Sequence, residues 1–172
     1  MNKRDHVLNG VLLAIGLGYV WYPAGGVATL QTIAAVAVPV VLGALLPDVD
    51  TSLGRHRKTL HNLPVLALLY AFPYVFANLR YVWIGVATHY VLDALGSKRG
   101  VALFYPFSKT EYGLPVGVAT VSKYASVVTV VVTALELALV AAALHVAPDV
   151  VPSLDVVPSD VANALARLPR PW

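Results

Sequence analysis

Histidine and aspartate fall in four short stretches of this 172-residue chain, in combinations suited to holding a cation. His6 stands just before an apolar run. Asp48 and Asp50 share the segment Leu46-Pro47-Asp48-Val49-Asp50-Thr51. His56 and His61 share Arg55-His56-Arg57-Lys58-Thr59-Leu60-His61-Asn62, and His89 and Asp93 share Thr88-His89-Tyr90-Val91-Leu92-Asp93. Imidazole and carboxylate together suit zinc, iron or manganese. His89 and Asp93 are four apart, so on a helix they project from one face and can hold one metal or bridge two. Pro47 stops a helix and presents two carboxylates, an arrangement for ligation or for orienting water. Water on such a metal has its pKa lowered towards about 7 and can attack an ester or phosphoester. Cysteine is absent, which excludes a disulfide framework, a thiolate metal site and a cysteine nucleophile.

Each piece alone has a plainer reading. His6 would be an interfacial histidine, and Arg55, Arg57 and Lys58 would be anchors to anionic headgroups. The His89-x-x-x-Asp93 pair would be a hydrogen-bonded helix staple, and the aspartates after Pro47 a helix stop. The metal reading gains its weight from co-location, which depends on the elements that carry these residues.

Those elements read as membrane helices. The chain is 58% hydrophobic and 12% charged, against roughly a quarter charged in an average soluble domain. From Val7 to Pro47 no Asp, Glu, Lys or Arg occurs in 41 residues. A crossing takes about 20 apolar residues, so this stretch holds two, separated at Trp21-Tyr22-Pro23-Ala24-Gly25-Gly26. Lys3 and Arg4 before an apolar run also suit a signal peptide, but no small-x-small cleavage site follows. The expectation is an all-α, polytopic integral membrane helical bundle of about five transmembrane helices. The spans run about Val7 to Tyr22, Val27 to Leu46, Leu63 to Ala77, Tyr81 to Leu95 and Ser122 to Val146. Residues 1–147 form the helical domain. Residues 148–172 form a Pro-rich extracytoplasmic tail, in which Ser159 caps a short interfacial helix bearing Val161, Leu165 and Leu168.

Basic residues set the orientation. Lys3, Arg4, Arg55, Arg57, Lys58, Lys98, Arg99, Lys109 and Lys123 put nine of the twelve on one side. The positive-inside rule then places the N-terminus in the cytoplasm and the C-terminus outside, in a multi-pass protein of the cell membrane. On that topology His6, Asp48, Asp50, His56, His61, His89 and Asp93 all reach the cytoplasmic face. Glu136 lies about 20 Å into the fifth span at 1.5 Å per residue and reads as a protonated or hydrogen-bonded structural residue. His145 belongs to the opposite face. The stretch 101–108, apolar and aromatic but too short to span, is either a wall of a lipid-facing cleft or an ordinary amphipathic loop.

His6, Leu46-Pro47-Asp48-Val49-Asp50, His56-Arg57, His61, His89-x-x-x-Asp93, Gly100 and Phe104-Tyr105-Pro106-Phe107-Ser108 together resemble the YdjM-like family of inner-membrane metal-dependent hydrolases. The resemblance covers about residues 1–125 and extends distantly to zinc-dependent phospholipase C. It implies His6, His61, His89 and Asp93 as metal ligands, and Asp48 or Asp50 as a ligand or the base that orients water. Arg57 would hold a substrate phosphate. The second helical pair of those phospholipases, His-x-x-x-Glu, has no counterpart here, which points to one or two metals rather than three.

The function these readings lead to is hydrolysis of a phosphoester of a lipid-like substrate by a bound divalent metal, zinc first, with manganese or iron as alternatives. The candidate ligands are His6, Asp48, Asp50, His56, His61, His89 and Asp93, and the candidate catalytic groups are Asp48, Asp50 and Arg57. The partner is membrane lipid and not nucleic acid, because the basic residues hug membrane boundaries instead of forming a face. A non-enzymatic metal-stabilised scaffold is the rival, and a metal or proton transporter the third reading.

Overall fold

A computed structural model describes residues 1–54, 56–71, 79–115 and 117–147, and their regular structure is helical throughout. Helix α1 spans Lys3–Trp21. It starts four residues ahead of the expected span because Asn2 and Asp5 form a capping box. Asn2 Oδ1 accepts from the Asp5 amide at 3.0 Å, and Asp5 Oδ2 accepts from the Asn2 amide at 3.4 Å. This cap brings His6 into the helix. After the Tyr22-to-Gly26 turn, with Gly25 at φ 70°, α2 runs Val27–Leu45. Pro47, which lacks a backbone N–H, converts the chain to a 3₁₀ turn over Pro47–Val49, and a single helical turn, α3, follows over Asp50–Leu53. Helix α4 occupies Leu63–Ala71, opened by Asn62 Oδ1 accepting from the Val65 amide at 3.0 Å. Helices α5 and α6 occupy Val82–Gly96 and Ala125–Val146.

Four helices close a ring. Helix α1 packs on α2 and α6, α5 packs on the same two from the far side, and α4 lies outside against α5. Helices α2 and α5 meet backbone to backbone at Gly43 and Gly85. A Cβ on Gly43 would fall on the Val82 carbonyl oxygen, and one on Gly85 on the Val40 carbonyl oxygen. Leu13, Ala14, Leu17, Val36, Val40 and Tyr81 form the core between α1, α2 and the start of α5. Leu92, Ala125 and Val132 join α5 to α6 nearer the other end.

The outward faces are apolar: Leu30 is 61% exposed, Val38 60% and Leu139 70%. Such surface suits hydrocarbon rather than water. Among the described residues, Val27–Ser52 and Ala125–Val146 are long and apolar enough to cross a membrane. Helices α1, α4 and α5 coincide in position with the first, third and fourth expected spans. Residues 72–77 of the third span lie outside the described residues, as does the tail 148–172 with Ser159, Val161, Leu165 and Leu168.

The segment after α5 folds back on the chain. Isolated bridges pair Ser97 with Val118 and Val101 with Tyr112. Val101 and Ala102 are fully buried, whereas Phe107 is 90% exposed. The 101–108 stretch is thus anchored at its beginning and open at its tip.

A candidate metal centre

The start of α1, the end of α2 with its 3₁₀ turn, the 56–62 segment and the last two turns of α5 come together at one end of the ring. His6, His61, His89 and Asp50 are fully buried, Asp93 is 1% exposed and Asp48 8%. Charged and polar groups so deep require partners. His89 Nδ1 lies 2.6 Å from the Ala44 carbonyl oxygen, which fixes that nitrogen as the donor. His61 Nδ1 lies 2.9 Å from Asp50 Oδ2. Each ring therefore turns its Nε2 lone pair inward, and the two Nε2 atoms lie 2.9 Å apart. Two acceptors facing each other repel unless a cation or proton stands between them. Ligands on one tetrahedral zinc, at about 2.0–2.1 Å each, sit about 3.3 Å from one another.

Carboxylates complete this arrangement. Asp93 Oδ2 is 3.8 Å from both Nε2 atoms, and Asp48 Oδ1 is 3.9 Å from that of His89. The other oxygen, Asp93 Oδ1, is 3.5 Å from His6 Nε2 and also meets the Met1 backbone nitrogen. The His6 ring stacks on His89 with centroids 3.7 Å apart and planes inclined by 12°. Neither ring nitrogen of His6 has a hydrogen-bond partner, although both are buried. An imidazole so placed is fit for a ligand. His6, His89 and Asp93 form one group able to hold a metal, and Asp48, His56 and His61 form a second, each group with its donor atoms within 4.8 Å of one another.

Asp50 stands one layer out. Its Oδ1 is 3.0 Å from His56 Nδ1 and its Oδ2 serves His61, so both oxygens address imidazoles. A carboxylate behind a ligating histidine fixes the tautomer and orientation of the ring. His56 is 39% exposed along its side chain, the most open member of the cluster. Burial pushes the His61 imidazole below the ordinary histidine range, against the opposing pull of Asp50.

Arg57 points inward rather than to solvent. It is 4% exposed, with φ 65°, a left-handed conformation that costs a non-glycine residue about 1–3 kcal/mol. Its Nη1 donates to Ser97 Oγ at 2.9 Å and to the Arg99 carbonyl oxygen at 2.6 Å, and its Nη2 lies 3.5 Å from Asp93 Oδ2.

Several supporting residues escape a reading built on His and Asp. Tyr90 donates to the Leu60 carbonyl oxygen at 2.5 Å, pinning the 56–62 segment on α5. One turn beyond His6, Asn9 Nδ2 donates to Thr133 Oγ1 at 2.9 Å and to Glu136 Oε2 at 3.0 Å. Thr88 Oγ1 lies 2.6 Å from Glu136 Oε1 and 2.7 Å from Asn9 Oδ1. Glu136 is thus hydrogen-bonded across three helices, in keeping with its structural reading. The signal was present in the sequence as Asn9 and Thr88, polar residues in apolar spans next to the metal-ligand positions. His145 lies in the last turn of α6, at the other end of the ring.

A family model described as YdjM inner membrane protein matches residues 1–154. No curated protein and no solved structure matches the chain. The family match takes in every residue of the His and Asp cluster and helices α1 to α6, and the chain belongs to the YdjM inner membrane protein family.

Proposed function

We propose that this protein is a membrane-bound metal-dependent hydrolase that cleaves a phosphoester of a lipid-like substrate at the cytoplasmic face. The observation that carries the reading is the inward convergence of His61 Nε2, His89 Nε2 and Asp93 Oδ2 beside a buried His6 whose ring nitrogens make no hydrogen bond. His61, His89 and Asp93 would hold one divalent cation, with His6, stacked on His89, as a further donor beside it. Zinc fits this nitrogen and oxygen set first, with manganese or iron as alternatives. The cation would polarise the phosphoryl oxygen and make water a nucleophile near neutral pH. Asp50 holds His61 in the tautomer that leaves Nε2 free, and the Ala44 carbonyl does the same for His89. Asp48, less buried than Asp50, would accept the proton from attacking water.

The topology that goes with this reading has five spans, a cytoplasmic N-terminus and an external C-terminus, with residues 1–147 as the helical domain and 148–172 as the tail. Membrane lipid is the partner.

The depth of the centre favours a second reading, a metal-stabilised scaffold. His61 and His89 are fully buried, and His56 alone in the cluster is substantially open. One pair of measurements separates the two. Detergent-purified protein should carry metal that is lost in His89→Ala and Asp93→Ala; unchanged metal content in both variants would refute the site. Metal-loaded protein should then hydrolyse members of a panel of phospholipids and isoprenoid phosphates, and chelator should abolish the activity. Fully loaded protein that turns over nothing on that panel is a scaffold.

A further inference from the structure

One buried cation ties the segment after α5 to the candidate centre, beside a bond from Ser97 Oγ to the Asp93 carbonyl oxygen at 2.7 Å and backbone bonds from Leu114 to Ala94 and Val118 to Gly96. The Arg57 guanidinium reaches Asp93 Oδ2 with Nη2 at 3.5 Å, and Ser97 Oγ and the Arg99 carbonyl oxygen with Nη1 at 2.9 and 2.6 Å. A longer contact runs from Nη1 to the Gly100 carbonyl oxygen at 3.4 Å. The Arg57 backbone joins the same fastening, because its carbonyl accepts from the Ala102 amide at 3.2 Å. Gly100 in turn lies so close to Tyr112 that a Cβ would sit 2.5 Å from that residue's carbonyl carbon. A further side-chain tie between the 56–62 segment and this loop is Lys58 to Glu111, at 3.7 Å and part-exposed, and such pairs contribute little. Arg57 also holds φ 65°, and a strained residue persists where its surroundings over-determine it.

We infer that Arg57 is a positioning residue that couples cation occupancy at Asp93 to the seating of residues 97–112; the inference rests on the metal reading above. Asp93 Oδ2 is the shared atom. It lies 3.8 Å from His61 Nε2 and His89 Nε2 on one side and 3.5 Å from Arg57 on the other. A cation drawn to the two imidazoles fixes that carboxylate and so fixes the guanidinium. Nη1 carries the constraint to Ser97 and the Arg99 carbonyl, at the root of the loop. The planar fork matters as much as the charge, since a lysine ammonium is a point donor that cannot address both sides in one plane. Phe104 and Phe107, exposed on the same loop, would take their position at the membrane surface from this contact. The role differs from that of a phosphate holder, for which the fork would have to face outward.

Hydrogen exchange of the full chain in detergent, with and without zinc, reads the coupling directly. Zinc should raise protection of the Val101, Ala102 and Tyr112 amides several-fold in the parent protein. Arg57→Gln and Arg57→Lys should still bind zinc, measured by competition with a chromophoric chelator, but their loop protection should no longer respond. Ser97→Ala, which keeps the Arg57 guanidinium and its contact with Asp93 Oδ2 but removes the hydroxyl that accepts from Arg57 and donates to the Asp93 carbonyl, should weaken the response and serves if the Arg57 variants do not fold. An equal zinc response in the parent, Arg57→Gln and Ser97→Ala overturns the coupling, as does bound zinc that leaves loop protection unchanged in the parent. A parent that binds no zinc, manganese or iron overturns the metal reading and the coupling with it. A phosphate-holding role would show differently: weaker competition by inorganic phosphate in Arg57→Gln, with the zinc response of the loop intact. That result also overturns the inference.

Discussion

Asp48 and Asp50 are two residues apart and chemically identical, yet the fold gives them different surroundings. Asp48 Oδ1 approaches the inward nitrogen of His89, whereas both oxygens of Asp50 are engaged by ring nitrogens of His56 and His61. The 3₁₀ turn after Pro47 makes the difference, because it rotates successive side chains by more than an α-helix would. Outer-layer carboxylates of this kind typically matter by about 10–100-fold in metal affinity. Asp50→Asn should therefore weaken zinc binding by about that factor without abolishing it, since the amide keeps the shape and one acceptor. A chelator competition titration measures this, and affinity equal to the parent's would remove Asp50 from the site. Residue types alone mark all seven His and Asp positions as candidates. Which of them face the centre, and which stand behind it, depends on ring orientations that no spacing encodes. Arg57 shows the same limit: the sequence offers it as a headgroup anchor or a phosphate holder, and only the structure shows it buried with its guanidinium 3.5 Å from Asp93.

At the scale of elements, the crossing of α2 and α5 sets His89 and Asp93 against the end of α2 that leads to Asp48. Gly43 and Gly85 let the two backbones touch, and the residue after Gly43 supplies the carbonyl that orients His89. Small residues in membrane helices are read as sites of close packing, and the sequence offers Gly10, Gly16, Gly18, Gly43 and Gly85 without distinguishing among them. Only the paired helices show that Gly43 and Gly85 meet each other. Gly85→Leu should force α2 and α5 apart, lowering stability by about 1–3 kcal/mol or more, as overpacking does, and it should cost metal as well. Thermal unfolding in detergent with parallel metal analysis tests this; a variant destabilised but fully metal-loaded would uncouple the crossing from the site. Helix boundaries follow the same logic. The apolar run predicts α1 from Val7, whereas the Asn2–Asp5 capping box extends it back to Lys3 and so makes His6 helical.

For the whole molecule, the topology proposed from Lys and Arg can be tested against water access. The chain contains no cysteine, so single cysteines can be introduced without background. Thr51→Cys and Ser108→Cys should label with a membrane-impermeant maleimide only from the cytoplasmic side, and Ala24→Cys only from outside. The reverse pattern would invert the proposal and move the metal centre to the outer face. Composition and charge distribution by themselves determined that the chain is helical and that it belongs in a membrane. A stretch of 41 residues without a charge admits few other structures, because in lipid each backbone group must find its partner within the segment. The gathering of the candidate residues at one end was expected on the same ground, since spans that alternate in direction would return every second boundary to one face. Tertiary structure alone decided that α1, α2, α5 and α6 close into a ring, that His6 stacks on His89, and that Arg57 reaches Asp93. These contacts join residues distant in sequence, and they are set by which helix faces interlock and how each side chain turns, quantities that depend on all the helices at once.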